Sequence, residues 1–166
     1  SAASNTQDLL IGTGPPGPGG LGTVRKQGGQ APLVVDRTLI VGDTFEGALE
    51  VLDGGSMIIN QPGSESAVIG RSAPGTVTVR GLSPALNAAS LTATRNLTIG
   101  EGARGRLHVE RGGHVETGTL FVNGTNAAAA GQLIMDGQGM ITTLTVNNIL
   151  FVRATELVEM LVKDGG

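Results

Sequence analysis

The stretch LTIGEGARGRLHVERGGHVET, Leu97 to Thr117, contains one complete repeat of this chain. It holds three short segments, LTI, RLHVE and HVET, in which apolar and polar residues alternate, and glycine-containing turns separate them. Alternation with a period of two over four or five residues indicates a β-strand with one buried face. One repeat therefore predicts three short strands joined by tight turns.

The same three segments recur along most of the chain. First-segment copies read LLIG, LIVG, AVIG, LTIG, LFVN and LTVN, and their final residues are Gly12, Gly42, Gly70, Gly100, Asn123 and Asn147. Counted from Gly12, these final residues stand 30, 28, 30, 23 and 24 residues apart. Second-segment copies begin at Gly47, Gly75, Gly105 and Gly131, and third-segment copies at Ser56, Ser83, His114 and Met140. Regular internal repeats indicate a stacked architecture.

Three strands in each repeat, separated by Gly, Asn and Pro turns, fit a coil in which each repeat is one turn and equivalent strands stack in parallel. We therefore predict an all-β fold, a right-handed parallel β-helix with three strands per turn and about six turns. Residues 1–148 form this β-helix, and residues 149–166 form a C-terminal capping segment.

The alternation also predicts which side chains point into the coil. Two inward stacks belong to the second segment. The first contains Leu49, Val77, Leu107 and Leu133, and the second contains Val51, Val79, Val109 and Met135. A third stack belongs to the third segment, and it contains Met57, Ala85, Val115 and Ile141. Gly42, Gly70 and Gly100 occupy left-handed corners, and Asn123 and Asn147 replace glycine there, because asparagine tolerates that conformation better than other residues.

The C-terminal segment from Ile149 to Gly166 departs from the repeat. Leu157, Val158, Leu161 and Val162 stand at helical spacing, which favours a capping helix. Two further strands are the alternative interpretation of the same residues.

A literal G-x-G-x-x-G occurs early, at Gly12, Gly14 and Gly17. A dinucleotide-binding loop of this kind must open a helix, whose free N–H groups hold the phosphates. Pro15, Pro16 and Pro18 prevent a helix from starting there. We interpret Gly12 as a corner of the coil.

Composition limits the possible classes. The 166 residues include 28 Gly and 3 Phe but no Trp, Tyr or Cys, which suits one domain with a thin aliphatic core. The net charge of −3 is not clustered, which argues against a nucleic-acid partner. No apolar run is long enough for a transmembrane helix. The chain begins SAASNTQ, with neither an initiator Met nor a signal peptide, so we expect a processed or excised piece.

Residues that could bind a metal or cofactor are scarce. His108 and His114 are the only imidazoles; His108 is expected to point outward with Arg106 and Glu110, and His114 lies beside a turn. GGLGTVRKQ begins like a calcium-binding nonapeptide, but Val24 occupies the aspartate position. We assign no catalytic, cofactor-binding or metal-binding residue, and we expect no enzymatic activity.

Paired carboxylates, which polysaccharide-cleaving β-helices require, are not evident. Asp43 and Glu101 follow corners two turns apart and are interpreted as turn residues. Asn96 and Asn123 match the N-glycosylation pattern by chance. The outward positions of the second segment are Glu50, Thr78, His108 and Ile134, and they include no carboxylates on adjacent turns.

The sequence LTIGEGARGRLHVERGGHVETGTLFVNGTNAAAAGQLIMDGQGMITT, Leu97 to Thr143, resembles the passenger domains of bacterial autotransporters, the AIDA-like and pertactin-like proteins of type V secretion. The resemblance covers Leu39 to Asn147. It implies export, folding outside the cell, and a role at the bacterial surface or in secreted form. Membrane contact would come only through a barrel domain that this chain does not contain. The sequence has no RGD, to which Arg104, Gly105 and Arg106 are merely similar, and the family offers no transferable adhesive motif.

Three functions compete. The first is a surface segment that acts in adhesion to a host-surface molecule or in self-association. The second is a carbohydrate-processing or carbohydrate-binding β-helix, such as a phage tailspike or polysaccharide lyase fragment, and the third is a spacing stalk. Loops on a rigid scaffold commonly bind partners. PGSESA from Pro62 and SPALNAASLTATRN from Ser83 are the predicted binding loops.

Overall fold

The structure, a computed structural model, describes residues 4–14, 21–28, 31–60, 67–81, 88–124, 130–154 and 158–163. These residues form an all-β parallel solenoid of about five turns, and no helix occurs among them. The predicted fold class is confirmed, with about one turn fewer than the sequence suggested.

The described residues contain thirteen strands. They are β1 (Ser4–Ile11), β2 (Gly22–Gln27), β3 (Leu33–Val41), β4 (Gly47–Leu52), β5 (Ser56–Ile59), β6 (Ala67–Ile69), β7 (Gly75–Arg80), β8 (Ser90–Ile99), β9 (Gly105–Glu110), β10 (His114–Gly124), β11 (Gly131–Asp136), β12 (Thr143–Ala154) and β13 (Glu159–Lys163). The first sheet has the order β1-β3-β5-β8-β10-β12, with β6 paired to β3 and β8; the second has the order β13-β11-β9-β7-β4-β2.

The first sheet contains two of the three predicted segments of each turn. The third segment of one repeat continues directly into the first segment of the next, and both lie in a single strand in β8, β10 and β12. In β10 a register shift separates the two parts, between Thr117 and Thr119. Thr117 is fully buried at this bend, and its hydroxyl donates to the carbonyl of Thr119 at 3.1 Å. Three segments per turn are therefore present, but two of them usually share one strand.

The second sheet confirms both of its predicted inward stacks. Leu107 pairs in register with Val77 and Leu133, and Val109 pairs with Val79 and Met135. All eight members of the two stacks are buried, with Met135 the most exposed at 9%. This repeated burial of aliphatic side chains supplies the core that the chain builds without Trp or Tyr.

The corner glycines adopt the predicted left-handed conformation. Gly12, Gly42, Gly70 and Gly100 have φ values of 82°, 83°, 77° and 77°. The prediction for Asn123 and Asn147 is wrong, because both lie inside strands, in β10 and β12, and neither has a positive φ. In the last two turns the backbone is therefore extended at the corner position, which Asn123 and its partner Arg153 occupy.

The third predicted stack is only partly right. Met57 and Val115 are buried in register with Leu91. The stack then continues through Leu144, whereas Ile141 is 82% exposed in the turn before β12. Ala85 lies outside the described residues, and Leu91 occupies the position between Met57 and Val115 that was predicted for Ala85. Apolar and polar residues alternate in both SPALN and SLTA, so the sequence pattern alone does not show which of them is the third segment. The backbone pairing selects SLTA.

The preferred capping helix is wrong, and the alternative of two further strands is right. Residues Ile149 to Ala154 belong to β12, and Glu159 to Lys163 form β13. Leu150 pairs with Leu120, and Met160 pairs with Leu133. LTVN is consequently a third segment, and LFVR, from Leu150 to Arg153, is the first-segment copy. Leu157 lies outside the described residues. The edges of β10 and β11 offer backbone partners that a helix would leave unpaired.

Candidate functional site

A groove runs along the corner between the two sheets. After each corner glycine the chain makes a short bend and enters the second sheet at another glycine, such as Gly75 or Gly105. A Cβ atom at either position would clash with a backbone carbonyl oxygen of the neighbouring turn, that of Val41 for Gly75 and that of Ile69 for Gly105, so glycine allows the close approach of the turns here. The main part of the groove has a volume of about 670 Å³, and a continuation of about 220 Å³ adjoins it. Arg104 and Arg106 line both parts.

The two arginines are held differently. Arg104 precedes β9 and is exposed. Arg106 lies in β9, is half-buried, and donates from Nε to the amide oxygen of Gln132 on the next strand. The amide nitrogen of Gln132 donates in turn to the carboxylate of Glu159 on β13. Among the described residues neither guanidinium forms an ion pair. The groove therefore presents two guanidinium groups, one of them fixed in orientation.

A row of charged side chains follows the far end of the second-sheet strands. In register, this charged row contains Arg80, Glu110, Asp136 and Lys163. Glu110 and Asp136 thus stand on adjacent strands, about 4.8 Å apart along the stack. This pair was not predicted from the sequence, because only the middle outward position of each second-segment strand was compared between turns. The conclusion that adjacent turns carry no paired carboxylates is wrong for this outermost position.

His108 joins the charged row. Its Nδ1 atom lies 2.9 Å from a carboxylate oxygen of Glu110, and its side chain is 29% exposed. His114 is also half-buried, and its Nδ1 contacts the hydroxyl of Thr143. Both imidazoles face outward but are less solvated than predicted. Within the described part of the chain, no three His, Asp or Glu side chains are grouped as a metal site would require.

The predicted turn carboxylates lie at corners. Asp43 forms an ion pair of 3.6 Å with Arg71 on the next turn. Glu101 is exposed and lines a separate pocket of about 380 Å³. Asn96 and Asn123, the two glycosylation-pattern residues, are half-buried in strands. Val24, at the position that calcium binding would require to be aspartate, packs against the core.

An aromatic pair forms the floor of that separate pocket. Phe121 and Phe151 are outward-facing partners on β10 and β12, with ring centroids 5.0 Å apart and planes inclined by 5°. Asn123 and Arg153 flank them. This pair was not predicted, because LTVN was taken as the last first-segment copy. That alignment placed Phe151 in the capping segment instead of opposite Phe121.

The C-terminal end of the solenoid exposes the inward-facing residues of its last turn. Leu150 and Val152 on β12 are 45% and 51% exposed, and Met160 and Val162 on β13 are 45% and 61% exposed. The first turn differs, because Lys26 occupies the inward row that contains Val51 and donates to the carbonyl of Gly28 at 3.0 Å. We call the surface formed by Leu150, Val152, Met160 and Val162 the open last turn. None of these four inward positions carries a polar residue as Lys26 does on the first turn.

The two predicted binding loops are described only in part, because residues 62–66 and 83–87 lie outside the described residues. For Ser90 to Asn96 the loop prediction is wrong, since these residues belong to β8. No helical membrane span is found among the residues that the structure describes. Comparison of the chain with protein-family models, with curated proteins and with solved structures gives no significant match.

Proposed function

We propose that this chain is a β-solenoid segment of the autotransporter-passenger type, located at the bacterial cell surface or secreted, and that it acts in adhesion or self-association. The supporting sequence feature is the repeat from Leu39 to Asn147. The solenoid fold is compatible with this role and is shared by many proteins of other functions.

The single observation that carries self-association is the open last turn. Strands β12 and β13 are the terminal strands of their sheets, so one edge of each has no strand beside it in the described chain. Such edges pair readily with another chain. The four exposed inward residues add an apolar surface whose burial would stabilise the contact.

The experiment compares two single substitutions. Leu150→Lys places a charge on the open last turn, as Lys26 does on the first turn. Leu21→Lys is the control, since Leu21 is 56% exposed but lies before β2, at the opposite end. Sedimentation velocity over a concentration series is the measurement. We expect association of the parent protein and of Leu21→Lys, and weaker association of Leu150→Lys.

A monomeric parent protein at all concentrations would contradict self-association through this end. Equal weakening by Leu150→Lys and Leu21→Lys would show that the contact is not specific to the open last turn. Circular dichroism of both variants establishes that the solenoid is retained, so that a loss of association is not a loss of fold.

The alternative function, carbohydrate processing, is favoured by one observation, the adjacency of Glu110 and Asp136. Paired carboxylates are the catalytic groups of most glycoside hydrolases. Release of reducing ends from polysaccharides, lost in Glu110→Gln and in Asp136→Asn, would support it. We favour the adhesive role, because neither carboxylate lines the corner groove.

A further inference from the structure

We propose that the corner groove at Arg104 and Arg106 binds a sugar residue that carries a single oxyanion group, such as a carboxylate or a sulfate ester. This inference deepens the adhesive part of the proposed function and rests on it, because it names the chemistry of a ligand. It does not depend on self-association.

The anionic group is inferred from the guanidinium pair. Arginine binds carboxylate and sulfate oxygens through paired N–H donors in a planar arrangement. The Nε of Arg106 is used by Gln132, which leaves its terminal nitrogens as donors and fixes the side chain. Arg104 lines the same groove and is exposed, so its guanidinium supplies further N–H donors to a ligand there.

The sugar is inferred from the rest of the lining. Small-molecule pockets are usually lined mainly by apolar and aromatic side chains. Here Ser72 and Thr76 supply hydroxyl groups, while Pro74 and Ala103 are the largest apolar side chains in the lining. The lining therefore contains no large apolar or aromatic side chain that would select an apolar ligand, whereas its hydroxyl groups offer hydrogen-bonding partners to a hydroxylated ring. The volume of about 670 Å³ is within the usual range for small ligands.

The limit to one charge is inferred from the ends of the groove. Glu46 lies at one end and Glu159 at the other, each two strands from the arginines along the stack. Two strand spacings correspond to about 10 Å. A polyanion longer than this would approach one of the carboxylates, so the geometry favours an acidic sugar at a chain end or between neutral sugars.

The test maps binding by amide chemical shifts in the full chain. Glucuronic acid, glucose 6-sulfate and neutral glucose are titrated separately, and the amides of Gly75, Thr76 and Gly102 report on the groove. We expect shifts with the two acidic sugars and not with glucose. Glucuronic acid alone would assign a carboxylate-bearing ligand, and glucose 6-sulfate alone a sulfated one.

Substitution locates the binding. Arg104→Ala and Arg106→Ala are expected to weaken binding by about tenfold or more each, the loss typical of charge-assisted hydrogen bonds. Arg25→Ala is the matched control, because Arg25 is exposed on β2 and pairs with Glu50 away from the groove. Glu46→Gln is expected to tighten binding of a polyanion such as polygalacturonate.

Three results would overturn the proposal. The first is binding of glucose as strong as that of the acids. The second is an equal loss in Arg25→Ala, and the third is equal shifts with inorganic sulfate, which would indicate an anion site without sugar recognition. Sedimentation without sugar measures self-association separately, so failure of one proposal is distinguishable from failure of the other.

Discussion

A Cβ atom added to Gly70 would lie 2.5 Å from the carbonyl oxygen of Arg104, on the next turn of the coil. The amide of Ala103, in the same bend, donates to the carbonyl of Gly70 at 3.1 Å. Successive corners therefore pack backbone against backbone. The hydrogen bond from Ala103 to Gly70 also holds the bend from which Arg104 reaches the corner groove.

We expect Gly70→Ala to destabilise the fold strongly, by about 3 kcal/mol or more, because a strained φ and a backbone clash act together. Gly139→Ala is the matched control: Gly139 has a φ of 81°, but nothing lies within 4 Å of an added Cβ. Gly139→Ala should lower the free energy of unfolding only by the cost of placing alanine in the left-handed conformation, about 1–2 kcal/mol. Urea denaturation measures both. Similar losses would show that the corner can relax around a methyl group.

We expect Val109→Asp to cost about 3 kcal/mol or more, because it buries a carboxylate in an aliphatic stack. Val109 is fully buried, whereas its neighbour His108 faces outward. His108→Ala should change the free energy of unfolding by no more than about half a kcal/mol, as a surface substitution. Denaturant titration of both variants is the measurement. Equal losses would contradict the assignment of inward and outward faces.

We expect deletion of residues 149–166 to leave most β-structure in place and to increase aggregation. The deletion removes β13 and the end of β12, and it uncovers Leu120, Val122 and Leu133, which are at most 2% exposed in the intact chain. Circular dichroism reports the structure and light scattering the association. A truncated chain as monodisperse as its parent would argue that the apolar end does not drive association.

Asp8 gives a prediction of pH dependence. A hydrogen bond from Arg37 is the main cause that lowers the pKa of this carboxyl group below its ordinary value of 3.8. A lowered pKa in the folded state means that the pair contributes stability above about pH 4 and loses it as pH falls through the folded pKa. In Arg37→Ala the pKa of Asp8 should rise towards 3.8, and NMR titration of its carboxyl group measures this. An unchanged pKa would exclude Arg37 as the cause.

The sequence by itself determined the strand segments, the corner at Gly70 and the inward direction of Leu107 and Val109. These features are local: alternation with a period of two assigns faces within one segment, and glycine marks a left-handed corner wherever it ends such a segment. Strands β4, β7, β9 and β11 of the second sheet were predictable in register because each begins at a glycine and contains the same number of residues.

Tertiary structure decided what depends on the alignment of distant segments. It placed Leu144 rather than Ile141 in the third stack, because pairing with β10 selects between two similar alternations. It made strands of the C-terminal residues, since an open edge offers backbone partners that helical spacing does not reveal. The Glu110–Asp136 pair, the Phe121–Phe151 stack and the arginine groove likewise exist only where turns more than 20 residues apart come into register.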